Sequence, residues 1–194
     1  MKNSLEKEKI LKLLRHSLMN ASETITTFEV NEDIFAPSKE DPVMEVAKKL
    51  TEGKGKFVYC QNEEELFENL KNLAHYRNWT QYNAYSSNLQ LYLQANGLNS
   101  VLADPSVNVG ISLCQGIVTN TGSIIITSTQ GAGTTLTHFP QIMIVIAMAS
   151  QIYTSYKQIL NQFTDALPEW IMSIKSGTLI EEEIKELYLF IVDE

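Results

Sequence analysis

The sequence predicts an α/β domain: a largely parallel sheet with helices on both faces, preceded by an N-terminal helix. Three observations predict it. Strand-like and amphipathic helical runs alternate along the chain, at lengths suited to crossover connections. Two continuous β-branched runs, Ile124-Ile125-Ile126-Thr127-Ser128 and Ile142-Met143-Ile144-Val145-Ile146, read as central strands buried on both faces. The length of 194 residues, with 44% apolar and 20% charged side chains, suffices for one domain with a full core.

The elements follow in order. Residues 4–19 place Leu5, Ile10, Leu11, Leu14 and Leu18 on one face behind Ser4 as N-cap, which predicts an amphipathic helix. Residues 20–42 are polar early and carry Pro37 and Pro42 late, the pattern of a long surface connection. Residues 1–42 therefore read as a helix with its connecting segment, and residues 43–194 as the α/β domain. Residues 42–49 predict a short helix stopped by Gly53 and Gly55. Lys56-Phe57-Val58-Tyr59-Cys60 predicts a strand, and Asn62 caps a helix with Leu66, Leu70 and Leu73 inward. The plan repeats with a helix at 88–95, Gly97 as its C-cap and a strand at 100–103. After the two β-branched runs, residues 150–163 predict a helix with Ile152, Tyr156 and Ile159 toward the core. Residues 170–174 and 187–192 predict two further strands, on either side of a short acidic helix at 181–185.

The net charge of −8 works against nucleic acid and anionic membrane as partners, and no cluster of Lys and Arg offsets it. Residues 157–194 hold eight acids against three lysines, which reads as a solvated helix face and a polar tail. The N-terminus lacks the continuous apolar core of a secretory signal. The longest apolar run, 142–149, is far short of the ~20 residues that span a bilayer. Cys60 and Cys114 sit in apolar surroundings with no CxxC pair and no nearby histidine, which fits two buried thiols in a reducing compartment, with a disulfide as the alternative. The expected location is the cytoplasm. His16 and His75 have no partner at metal-binding spacing, and no cofactor motif is present, so neither a metal nor a cofactor is expected.

Candidate chemistry concentrates in 105–156, where no Asp, Glu, Lys or Arg occurs. Asn120-Thr121-Gly122-Ser123 precedes a buried strand, and the hydroxyls and backbone N–H groups of such a turn can hold a phosphate, carboxylate or carbonyl oxygen. The alternative is a tight turn whose hydroxyls cap their own backbone. Gly131-Ala132-Gly133-Thr134-Thr135 can cradle an anion with backbone amides, but it is neither a phosphate-loop motif nor a dinucleotide fingerprint. His138 is the side chain of this stretch that changes charge near neutral pH, which makes it a candidate ligand contact. Cys114 has no basic neighbour to lower its pKa and reads as core. Tyr76, Trp79, Tyr82, Tyr85 and Tyr92 read as packing helices onto the sheet, with hydroxyls at the rim, or else as a binding surface.

The order Val109-Gly110-Ile111-Ser112, Thr119-Asn120-Thr121-Gly122-Ser123, a β run, a Gly-Thr loop, Phe139-Pro140 and a second β run resembles the LUD domain, which occurs in proteins of bacterial lactate utilisation. The resemblance implies a three-layer α/β/α fold similar to the ribose-5-phosphate isomerase, glucosamine-6-phosphate deaminase and CoA-transferase group. It implies a small anionic metabolite or acyl compound as ligand, and iron–sulfur and oxidoreductase subunits of lactate oxidation as partners. The implied ligand-binding set is Asn120, Thr121, Gly122, Ser123, Gly131, Gly133, Thr134 and His138. The chain departs from the family pattern at three places. Asn120 stands where the family has Glu, Thr134 or Thr135 where Arg follows the glycine, and the polar C-terminal family segment is shortened after Ser176-Gly177-Thr178. Those departures remove the obvious general acid/base and anion clamp. A binding or accessory protein is therefore expected first, a catalytically degenerate interaction domain second, and an isomerase or acyl/CoA-transferase-like enzyme last.

Overall fold

The computed structural model describes residues 40–130, 140–164, 167–176 and 184–193. The predicted helix at 4–19 and the acidic residues 181–183 lie outside these. In the first described helix, α1 (Pro42–Glu52), the Asp41 carboxylate accepts from Val43 N at 2.8 Å, Pro42 occupies the first turn and Gly53 ends it. Strand β1 (Lys56–Cys60) follows, then α2 (Glu63–Arg77), capped by Asn62 Oδ1 accepting from Glu65 N at 2.9 Å. Three glutamates fill the first turn of α2 and Arg77 its last, in line with the helix dipole. Next come β2 (Tyr82–Ala84), α3 (Ser87–Ala95) and β3 (Ser100–Leu102). The α3 cap residue is Asn96, with Gly97 following at φ +81°.

The rest of the chain forms β4 (Val109–Leu113), β5 (Gly116–Val118), β6 (Ser123–Thr127) and β7 (Ile142–Met148). A 3₁₀ turn (Ala149–Gln151), β8 (Ile152–Tyr153), α4 (Tyr156–Leu160), β9 (Ile171–Ile174) and β10 (Glu186–Val192) complete it. Six strands make one sheet in the order β1-β10-β7-β4-β2-β3, and every neighbouring pair is parallel. One face carries Ile111, Ile144, Ile146 and Phe190, packed with Leu66, Phe67 and Leu70 of α2 and Leu89 and Leu93 of α3. The other carries Met143, Val145, Leu189 and Ile191, packed with Val46 and Leu50 of α1 and with a second sheet. The layered α/β architecture follows, with helices on both sides of a parallel sheet.

The second sheet corrects the sequence reading. The run at Ser123–Thr127 is buried along its whole length, as expected, but it does not neighbour β7. It belongs to a four-stranded sheet ordered β8-β5-β6-β9. The physical reason is the connection. Only residues 119–122 separate β5 from β6, and a parallel neighbour needs a crossover of a dozen or more residues. The chain must return antiparallel, and β6 pairs antiparallel with both β5 and β9.

The helix expected over 150–163 is a second correction. The Gln151 side chain intercepts the backbone, accepting from Met148 N at 2.8 Å and donating to Cys114 O at 3.0 Å. Ile152 and Tyr153 then pair with β5. Gln158 Oε1 accepts from Thr154 N at 2.9 Å and restarts the chain as the short α4. Ile159 is core as expected, whereas Tyr156 is 42% exposed. The aromatic group divides similarly. Tyr82 and Tyr85 are buried with hydroxyls that lack partners rather than reaching the rim, and Tyr76 is exposed.

An ion cluster ties the entry of β10 to the helical face. The Glu186 carboxylate contacts both Lys56 Nζ and the Arg77 guanidinium, and Tyr188 Oη donates to it at 3.0 Å. Arg77 lies over the Trp79 ring, and Trp79 meets Tyr188 edge-on. Burial pushes the Glu186 pKa up, but hydrogen bonds from Lys56, Tyr188 and Arg77 outweigh it and hold the carboxyl below its ordinary value. A carboxyl whose folded pKa lies below its unfolded value stabilises the fold above the unfolded pKa, and that contribution is lost as pH falls through the folded pKa. Glu186→Gln is expected to cost about 1 kcal/mol at neutral pH. It should also flatten the fall in stability below about pH 4.5, where free carboxyls begin to protonate. Urea melts of both proteins at neutral and acid pH check this; parallel pH profiles would contradict it.

Candidate functional site

The turn singled out by sequence joins β5 to β6. Gly122 N donates to Val118 O at 2.8 Å, and its φ of +64° is a conformation that L side chains rarely adopt. A Cβ on Gly122 would stand 2.7 Å from Lys49 Cβ of α1, so close approach of the helix also demands glycine. The Gly122 amide is therefore committed to the turn. Asn120 is exposed at the tip, Thr121 is half-buried and Ser123 is buried.

Alternation along β6 sends Ile124 and Ile126 inward to the central sheet. Ser123 and Ile125 face the opposite side, where Ile125 packs with Val118, Tyr153 and Ile159 of α4. In β9, Ser173 stands beside Ile125. The first residue of α4, Tyr156, brings its phenol to 3.3 Å from Ser173 Oγ. The hydroxyls of Ser123 and Thr121 also face that phenol. Burial pushes the Tyr156 pKa up, but the neighbouring Ser123, Ser173 and Thr121 hydroxyls, with the positive charge of Lys175, outweigh it and bring the phenol below its ordinary value. Thr121 Oγ1 is buried near the phenol but has no partner at hydrogen-bonding geometry. Four hydroxyls, from the β5–β6 turn, β6, β9 and α4, thus lie near one another on the face of the second sheet turned away from the central sheet.

The structure brings Thr121, Gly122 and Ser123 of the expected set together here, with Asn120 at the tip. Gly131, Gly133, Thr134 and His138 lie outside the described residues. Sequence reasoning missed Tyr156, Ser173 and Lys175. One signal was available: Ser173 interrupts Ile171-Met172-Ser173-Ile174 on a strand whose next residue is core.

Other sequence motifs have structural roles. Ser112 is buried and donates to Leu113 O at 2.8 Å. Gly110 lies against Pro140 and the Tyr85 hydroxyl, so the Val-Gly-Ile-Ser and Phe-Pro motifs meet there. Burial pushes the Cys114 thiol up to about 12, which leaves it without nucleophilic character at neutral pH. Cys60 is likewise buried and free, and burial raises its pKa. Among the described residues, no helix is long and apolar enough to cross a membrane.

Comparison with known proteins bears on the same segment. No curated protein matches the chain. A solved structure of a DUF162 family protein from Deinococcus radiodurans is similar, with a TM-score of 0.64 and 12% sequence identity over 80% of this chain and 99% of that chain. At that identity the likeness shows the fold. The LUD domain family model matches residues 104–177, from the turn before β4 through β9, which includes the hydroxyl patch. Residues 104–177 are therefore similar to the LUD domain, on a layered α/β scaffold.

Proposed function

We propose that this chain is a LUD-type accessory protein of the cytoplasm that binds a small anionic metabolite or acyl compound, in the service of lactate utilisation. The convergence of Thr121, Ser123, Ser173 and Tyr156, within reach of the Lys175 charge, supports the reading. Hydroxyl donors beside a cation suit an anionic oxygen, and the Asn120 amide at the turn tip adds a further donor. Iron–sulfur and oxidoreductase subunits of lactate oxidation are the partners this reading names. Thr121, Ser123, Ser173, Tyr156 and Lys175 include no carboxylate to act as general base or nucleophile, which supports binding over isomerase or acyl-transferase chemistry.

The test is thermal unfolding with a hydroxy acid, a CoA ester and a sugar phosphate. A ligand at a hundred times its Kd stabilises the native state by about 2.7 kcal/mol, a rise of roughly 5–10 °C for a domain of this size. Ser123→Ala should abolish the rise. Absence of any shift up to millimolar concentration defeats the proposal. The second reading, an interaction domain that has lost its chemistry, draws on Leu113 and Met148. These apolar side chains end β4 and β7 with 41% of each exposed.

A further inference from the structure

We propose that the outer edge of β9 pairs antiparallel with β9 of a second copy of this chain, so that the two four-stranded sheets continue into one another across a two-fold axis. β9 ends its sheet, and among the described residues β6 is the strand that pairs with it. Ser128 N donates to Trp170 O at 3.1 Å, which fixes the phase of that ladder. Along an antiparallel strand, alternate residues turn both N–H and C=O to the same side. Trp170, Met172 and Ile174 therefore bond toward β6, and Ile171 and Ser173 turn their backbone groups to the outer edge. Both of these residues are exposed. Sheet edges are ordinarily blunted by short strands or by charge. The other three terminal strands follow that rule: β3 and β8 have only three and two residues, and β1 begins with Lys56. β9 has no charge from Trp170 to Ile174, and Ile171 is 44% exposed.

The occupant is read from the residues that flank the strand. Glu169 and Lys175, both exposed, stand three residues to either side of Met172. Antiparallel pairing of two copies about Met172 sets Glu169 of each opposite Lys175 of the other, a favourable cross-strand pair made twice. The same register sets Ile171 opposite Ser173, the two residues whose backbone groups face outward. Shifting it by two residues in either direction keeps an outward ladder but loses both charge pairs. The side chains fit as well. Ile171 and Ser173 lie on one face of β9, and the Tyr156 phenol stands 3.3 Å from Ser173 Oγ. Ile171 of one copy thus comes beside the small Ser173 of the other and the half-exposed Tyr156 ring next to it, and apolar surface leaves water on both sides.

The experiment is sedimentation velocity of the full chain from micromolar to sub-millimolar concentration, where a concentration-dependent dimer is expected. Glu169→Lys and Lys175→Glu each set like charges opposite one another at two places and should weaken the dimer roughly tenfold. Mixed in equal amounts, the two variants should dimerise with each other about as well as the unaltered chain does with itself, because every charge then meets its opposite. That recovery also shows that both variants are folded. A monomer at every concentration overturns the inference and leaves the edge to a strand of another protein or to a further segment of this chain. A dimer indifferent to both charge reversals overturns it too, since the contact then lies on another surface. Weakening by each variant with no recovery in the mixture overturns the antiparallel register.

Discussion

Phe190→Ala is expected to remove about 3–5 kcal/mol of stability, the range for truncating a fully buried aromatic side chain. Phe190 has no exposed surface. It sits in β10, second in the sheet order, with Val58 of β1 beside it on one side and Ile146 of β7 on the other. Its ring packs into the core shared with α2 and α3. Strands on both sides and helices above hold the space open, so a truncated residue 190 leaves a cavity that the surroundings cannot close. Total stability for a domain is only about 5–15 kcal/mol, so the variant should melt roughly 6–20 °C lower. Phe190→Leu conserves more volume and should cost less. Urea midpoints of the three proteins check the order, and an alanine variant as stable as the leucine variant would contradict it.

Gly110→Val is expected to cost about 1–3 kcal/mol or more, by overpacking instead of by cavity. A Cβ at Gly110 would stand 2.6 Å from Pro140 Cγ and 2.7 Å from the Tyr85 hydroxyl. Neither neighbour is the free end of a flexible chain: one is a proline ring and the other a phenol only 5% exposed. The strand cannot shift to make room, because β4 pairs with β7 along its whole length. A second substitution tests the cause. The Tyr85 hydroxyl has no partner, so Tyr85→Phe alone should cost little. Combined with Gly110→Ala, it removes one of the two close contacts and should recover part of the loss. A double-mutant cycle on denaturation midpoints reads the coupling; strictly additive effects would show that the hydroxyl is not what excludes a side chain.

The central sheet was legible because its signals are local. The apolar run of β7 and the strand–helix alternation of β1 through β3 appear within windows of a dozen residues. The resemblance read over about residues 100–160 also stood on contiguous motifs. What escaped was settled by distance along the chain. The pairing of β6 followed from a count of residues 119–122 that periodicity does not register. The helix expected at 150–163 lost to β5, whose edge Ile152 and Tyr153 complete. At the candidate site the turn was legible, since hydroxyls beside a glycine form a local pattern. Tyr156, Ser173 and Lys175 join it only through folding, and Tyr156 carries a helical spacing that pointed it toward the core.

The position of β10 has a consequence for biosynthesis. Lys56 and Tyr188 meet across a separation of 132 residues, and the strand that carries Tyr188 is inserted between β1 and β7. While a ribosome is still extending the chain, those two strands have no common neighbour to join them. The sheet cannot close gradually from its N-terminal side, and long-range parallel pairing of this kind is slow. Until residue 192 leaves the exit tunnel, the nascent protein presents two open strand edges, which is the interval in which a chaperone would find most to hold.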